Sequence, residues 1–241
     1  MTNLFDMKSF DINIDQGSLV SLILILLVFV PMLLCVAFMT IIERKAMGSM
    51  QRRIGPNVVG YYGVLQPFAD ALKLVVKEQI IPAQSNKALF FLAPMISLVF
   101  SLLGWATIPF GSGMAITDIS LGMLFSLAVS SIGVYGALFA GWAANSKYAF
   151  LGSLRSTAQM VSYELIFSTC VAAVILLAGS LNFTTIVEAQ TSIWFIVPLF
   201  PLFIMYLISA LAELNRTPFD LPEAESELVS GFMTEHSGMI F

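Results

Sequence analysis

The sequence predicts an all-α protein, a polytopic bundle of transmembrane helices with one amphipathic helix lying in the membrane interface. Three observations carry this. The 241 residues are 58% hydrophobic and 11% charged, with a mean hydropathy of +0.90, whereas a soluble domain has roughly a quarter of its residues charged. The apolar residues gather into runs of about 18–25, the length at which a helix rising about 1.5 Å per residue crosses about 30 Å of hydrocarbon. One further segment has helical periodicity but is too short and too charged to cross. The whole chain, 1–241, is expected to form a single membrane domain.

Five full spans follow in order: Leu19–Ile42, Ala88–Phe110, Leu121–Ala144, Val161–Ala178 and Ile193–Ala212. The first is too long for a cleavable signal peptide, follows the acidic Asp6, Asp11 and Asp15, and has no small-residue cleavage site after it. It is therefore expected to stay in the mature protein. Pro31 inside it is expected to kink the helix, a defect that neighbouring helices tolerate. Arg44, Lys45, Arg52, Arg53, Lys73, Lys77 and Lys87 lie between spans one and two, Lys147 and Arg155 between three and four, and Arg216 after span five. The alternate loops, Gly111–Ser120 and Gly179–Thr191, contain no Lys or Arg. The positive-inside rule then places the N-terminus outside and the charged loops on the cytoplasmic or matrix side. After span five comes an acidic loop, 213–235, and at 237–241 the chain turns apolar again, as at the start of a further span.

The amphipathic segment covers about residues 65–78. Leu65, Phe68, Ala69, Leu72, Val75 and Val76 fall on one helical face, and Gln66, Asp70, Lys73 and Lys77 on the other. Such a helix lies in the plane of the interface.

Candidate chemistry sits in carboxylates. Cys35 and Cys170 fall inside apolar runs and His236 is the only histidine, so no metal site is expected. The chain carries no ligand set for iron–sulfur clusters and no flavin or nicotinamide fingerprint. Glu164 is the one carboxyl inside the apolar run of a span, where an unpaired charge costs about 2.5–3.5 kcal/mol. It is expected to face protein or water. In the stretch AELNRTPFDLPEAESELVSG, Glu213, Asp220, Glu223, Glu225 and Glu227 crowd together with Arg216 near them. Pro218 and Pro222 forbid a continuous helix through it, and irregular backbone at this depth is tolerated only against protein or water. Glu223 and Glu227 would share one face of a helix beginning near Pro222, with Glu225 turned away. The carboxylates are therefore expected to line a path, taking up or releasing protons or accepting basic residues from a partner. Glu235 belongs to the same group.

Three long motifs carry a family resemblance: IIERKAMGSMQRRIGPNVVGYYGVLQPFADALKLVVKE, SLRSTAQMVSYE and AELNRTPFDLPEAESELVSGFMTEHSG. In this order they resemble the subunit 1 family of respiratory complex I, the proton-pumping NADH:ubiquinone oxidoreductase. The resemblance runs from about Val20 to the last residue. It implies a membrane subunit that docks a peripheral redox arm, builds much of a chamber for the quinone headgroup, and links quinone reduction to proton translocation. Ubiquinone is then a substrate, and FMN and iron–sulfur clusters reside in partner subunits, with no cofactor bound by this chain. The chain is part of an enzyme, without a redox centre of its own.

The same resemblance implies a proton relay of Glu164, Glu213, Glu223, Glu225, Glu227 and Glu235. It implies quinone contacts from Glu43, Arg44, Arg53, Phe68, Leu72, Arg216, Phe219 and Asp220, with Glu43 and Arg44 paired at the chamber's edge. Implied partners are other membrane and peripheral-arm subunits, ubiquinone, membrane lipids, and a separate polypeptide supplying the further spans with which the family continues; no nucleic acid is expected. The absence of a presequence and the Phe-rich composition point to the mitochondrial inner membrane, with the bacterial plasma membrane as alternative. Two other functional classes stay open on the residues: the membrane subunit of an energy-converting hydrogenase, and an ion channel or secondary transporter working through the same carboxylates.

Overall fold

In lipid every backbone polar group has to be satisfied within its own segment, and the apolar runs accordingly fold as helices. The computed structural model describes residues 18–111, 115–216, 218–220 and 231–238. Its main helices are α1 (Ser18–Met50), α2 (Gln66–Val76), α3 (Lys87–Gly104), α4 (Gly122–Ala143), α5 (Lys147–Ala178), α6 (Phe183–Ala189) and α7 (Phe200–Glu213). Among the described residues there is no strand, and four helices are long and apolar enough to cross a membrane. The chain divides into two compact units. The described residues of one are 18–79 with 237–238, and the other is built from those between 80 and 236.

In the first unit α1 runs unbroken through Pro31 and past the Glu43–Lys45 cluster to Met50. The expected end at Ile42 is passed because no helix breaker occurs there. The chain then turns through Gly55 and Pro56 into the single turn Tyr61–Gly63, and α2 starts with Pro67 in its first turn, where a missing N–H costs nothing. Gly63 has φ +76°, and a Cβ there would run into the Pro56 carbonyl, so the turn needs a glycine. No residue of α2 is buried.

The second unit is a bundle in which α4 packs along α3 and α5, and α5 along α7. Small residues set the spacing. Gly136, Ala140 and Gly141 of α4 are buried; a Cβ at Gly136 would meet Ser97 and the Ala93 carbonyl, and one at Gly141 would meet Ser153 and the Ala149 carbonyl. Close backbone approach of this kind replaces the hydrophobic drive that lipid does not provide. The helix ends follow ordinary capping chemistry. Asn86 caps α3 by accepting from Leu89 N, Asn182 caps α6 by accepting from Thr184 N, and α5 ends on Gly179 in the left-handed region.

Two expected spans change shape. The run 193–212 is helical only from Phe200, because Pro198 and Pro201 disfavour helix in the residues before them; 195–199 form turns, and the 14-residue α7 rises only about 21 Å. The run at 161–178 is the second half of α5, which begins at Lys147 since nothing between the two points breaks it.

Candidate functional site

In the first unit the polar end of α1 is tied to the segment that follows it. Arg44 Nη1 donates to Asp70 Oδ2 at 2.6 Å, and Gln66 Nε2 donates to Asp70 Oδ1 at 2.9 Å. The guanidinium beside Asp70 holds its carboxyl below the ordinary value of 3.8, against a smaller opposing effect of burial. The Arg44–Asp70 ion pair joins the end of α1 to α2. Glu43 is half-buried. Lys45 Nζ donates to the Tyr62 carbonyl. Arg53 is exposed and donates from Nε to Gln51 Oε1 at 2.7 Å.

The apolar face of α2 stays open. Phe68 meets Phe38 of α1 edge-on, with ring centroids 6.1 Å apart, while Leu72 is 68% exposed and Val76 78%. An amphipathic helix with this exposed face and a charged opposite face is built to lie against hydrocarbon.

In the second unit a cavity of about 1210 Å³ lies among α3, α4, α5 and α7. Its wall is apolar apart from a few groups, among them Ser130, Tyr206 and Glu213. Ser130 Oγ donates to Glu213 Oε1 at 2.7 Å. The neighbouring Ser131 donates to Glu164 Oε1. One turn of α4 therefore holds two of the expected relay carboxylates, Glu213 from α7 and Glu164 from α5. Both are half-buried, and each has a charge-compatible donor in a hydroxyl.

Beyond α7 the backbone is pinned by a residue outside the expected set. Gln159 of α5, 6% exposed, donates from Nε2 to the carbonyls of Ala212 and Phe219, both at 2.8 Å. Asn215, at φ +50°, donates to Ser156 Oγ at 3.1 Å. The Ala212 carbonyl, near the end of α7, accepts the Gln159 bond beside one from Asn215 N at 3.2 Å. Phe219 packs edge-on against Tyr163 at 5.5 Å, Asp220 is half-buried and Arg216 exposed. Glu223, Glu225 and Glu227 lie outside the described residues. Glu235 follows the turn Gly231–Met233, beside His236, whose ring stacks on Phe90 at 4.2 Å. Burial pushes the His236 imidazole below its ordinary 6.5.

Sequence reading missed Ser130, Ser131, Gln159 and Asn215. The serines left one signal: two adjacent hydroxyls in the middle of an apolar span. Among the described residues no group of three or more His, Cys, Asp or Glu could hold a metal ion.

The family model described as NADH dehydrogenase matches residues 23–241. The chain belongs to that family. It is 74% identical over 223 residues to the NADH-ubiquinone oxidoreductase chain 1 of Mycosarcoma maydis, covering 92% of this chain and 67% of the relative. The protein of the same name from Podospora anserina is 62% identical, over 92% of this chain and 61% of its own length. A bacterial member, a component of the NADH-quinone oxidoreductase of Rhodospirillum centenum, is 58% identical over 90% of this chain and 65% of the relative. The chain thus spans 61–67% of the length of these family members.

Proposed function

We propose that this chain is the membrane subunit through which a proton-translocating NADH:ubiquinone oxidoreductase links quinone reduction to proton transfer. Family membership and the names of the fungal and bacterial relatives support the class of complex. The observation that carries the residue-level reading is the pair of carboxylates, Glu164 and Glu213, each held by a hydroxyl of one α4 turn, with Glu213 on the wall of a mostly apolar cavity. A carboxyl in such a place can hold or release a proton as its surroundings change. Glu223, Glu225, Glu227 and Glu235 are further members of the same proposed proton-exchanging group.

The exposed apolar face of α2, with Phe68 and Leu72, offers a sliding surface to an isoprenoid tail. In the first unit Arg44, Asp70, Glu43 and Arg53 offer polar groups to a quinone head; in the second unit Arg216 and Asp220 offer polar groups and Phe219 an apolar ring. FMN and iron–sulfur clusters in peripheral-arm subunits supply the electrons, and ubiquinone receives them. The complex sits in the mitochondrial inner membrane, or the plasma membrane of bacterial counterparts, with the N-terminus of this chain on the outer side. The hydrogenase and transporter readings gain no support from relatives named for NADH and quinone.

The test is made on the assembled complex. Glu164→Gln and Glu213→Gln keep size and hydrogen bonding but remove the titratable proton. Proton translocation should fall at least about tenfold in each, and at least as far as quinone reduction. Normal assembly with translocation unchanged in both variants would remove these carboxylates from the relay.

A further inference from the structure

We infer that Ser130 and Ser131 are working parts of this relay, a pair of hydroxyls that makes Glu213 and Glu164 answer to one another's protonation; the inference rests on the proton-relay reading above. Successive residues of a helix point about 100° apart, so this one turn presents a hydroxyl in two directions. Ser130 and Glu213 line the cavity, whereas Ser131 and Glu164 lie off its wall. The two carboxylates come from helices 33 and 83 residues away from their serines in sequence.

Serines in apolar helices ordinarily spend their hydroxyl on a carbonyl three or four residues earlier. Ser126, one turn before Ser130, does so, donating to Met123 O at 2.9 Å. Ser130 instead donates to Glu213. Ser131 has two acceptors: the Leu127 carbonyl at 3.0 Å and Glu164. Its oxygen carries one proton, so the two bonds are alternatives. With Glu164 ionised, the proton points at the carboxylate, because a charge-assisted bond is the stronger. With Glu164 protonated, Ser131 turns its proton to Leu127 O and accepts from the acid. No covalent bond is made or broken in the hydroxyl. The rotation reports the charge of Glu164 to the turn of helix that also holds Glu213.

Other ionisable groups surround this turn sparsely. From α7 Tyr206 shares the cavity wall with Glu213, from α5 Cys170 lies on the same wall and Tyr163 precedes Glu164, and α3 carries only Lys87, at its first residue. Among the described residues, Ser130 is in hydrogen-bond contact with Glu213 and Ser131 with Glu164.

The experiment compares Ser130→Ala, Ser131→Ala and Ser131→Thr in the assembled complex, alongside Glu164→Gln and Glu213→Gln. Loss of a hydrogen bond to a charged group predicts a roughly tenfold drop in proton translocation for each alanine variant. Electron transfer from NADH to a soluble acceptor stays unchanged. Removing a donor to the ionised form also moves the pH profile of translocation to higher pH, which a structural role would not do, and threonine restores both rate and profile. Should Ser131→Ala fail to assemble, Ser131→Cys keeps the volume with a weak donor and is expected to show the same loss. Alanine or cysteine variants with the parent rate and profile, while the Gln variants are impaired, overturn the role of the serines alone. Full translocation in the Gln variants overturns the relay itself, and this inference with it.

Discussion

The two units of this chain solve the same problem in opposite ways. In the second unit α4 closes against α3 and α5 through glycines and alanines, and its polar groups are spent on one another across helices. In the first unit α1 and α2 have little buried apolar surface, and the contacts that tie them include an exposed ion pair, a backbone-directed lysine and an aromatic edge contact. The difference teaches where each unit expects its partners. A bundle made by backbone approach has its own interior, and can keep a carboxylate there. A helix pair held by polar ends leaves its apolar faces open.

The contrast is broken most severely at Gly141. Valine there would strike Ser153 and the Ala149 carbonyl, neither of which can withdraw far inside a closed helix pair. Overpacking of this kind costs about 3 kcal/mol, and native gel electrophoresis should show the complex lost or greatly reduced. Retained assembly at normal levels would mean that α4 and α5 tolerate a wider separation.

A smaller effect is expected in the first unit from Phe68→Ala. The edge contact with Phe38 is worth about 1 kcal/mol, so the complex should assemble. Quinone reduction should slow several-fold, while NADH oxidation by a soluble acceptor stays at its parent rate. Equal loss of both activities would place Phe68 in assembly rather than in the quinone path.

His236 sharpens the comparison through pH. Burial lowers its folded-state value below the ordinary 6.5, so the unfolded chain binds the proton more readily. The stability contributed is complete above about pH 6.5 and declines as pH falls toward the folded value. Thermal inactivation of the detergent-solubilised complex between pH 7.5 and pH 5.5, both about a unit from that value, should steepen on the acid side. His236→Phe, which keeps the stack on Phe90, should flatten that limb, and an unchanged pH dependence would show that His236 stays solvated.

The smallest effect belongs to Asp70. Its folded-state value is depressed, so its contribution is present above the ordinary 3.8 and is lost only as pH falls through the lower value. With Arg44 51% and Asp70 37% exposed, the pair is screened and worth about 0.5 kcal/mol. Asp70→Asn should therefore leave thermal stability near neutral pH within about 1 °C of the parent. A large drop would show that the pair is covered in the assembled complex.

Some of this was legible in the residues and some was not, for a physical reason. Lipid forces every segment to satisfy its own backbone, so composition and run length alone determined an all-α membrane protein. Local chemistry determined the caps at Asn86, Asn182 and Gly179 and the amphipathic α2, because these depend on neighbours a few residues apart. Tertiary structure alone decided that Arg44 pairs with Asp70, that Ser130 and Ser131 receive Glu213 and Glu164, and that Gln159 holds the end of α7. It also decided that 193–199 stay outside the last helix. Pairings across 26 to 83 positions depend on how each helix is rotated about its axis. In a soluble protein the polar face reveals that rotation. In α1 and α4 apolar residues run round the helix, so the pattern carries almost no rotational signal, and only packing through small residues and a few hydrogen bonds fixes which side chains meet.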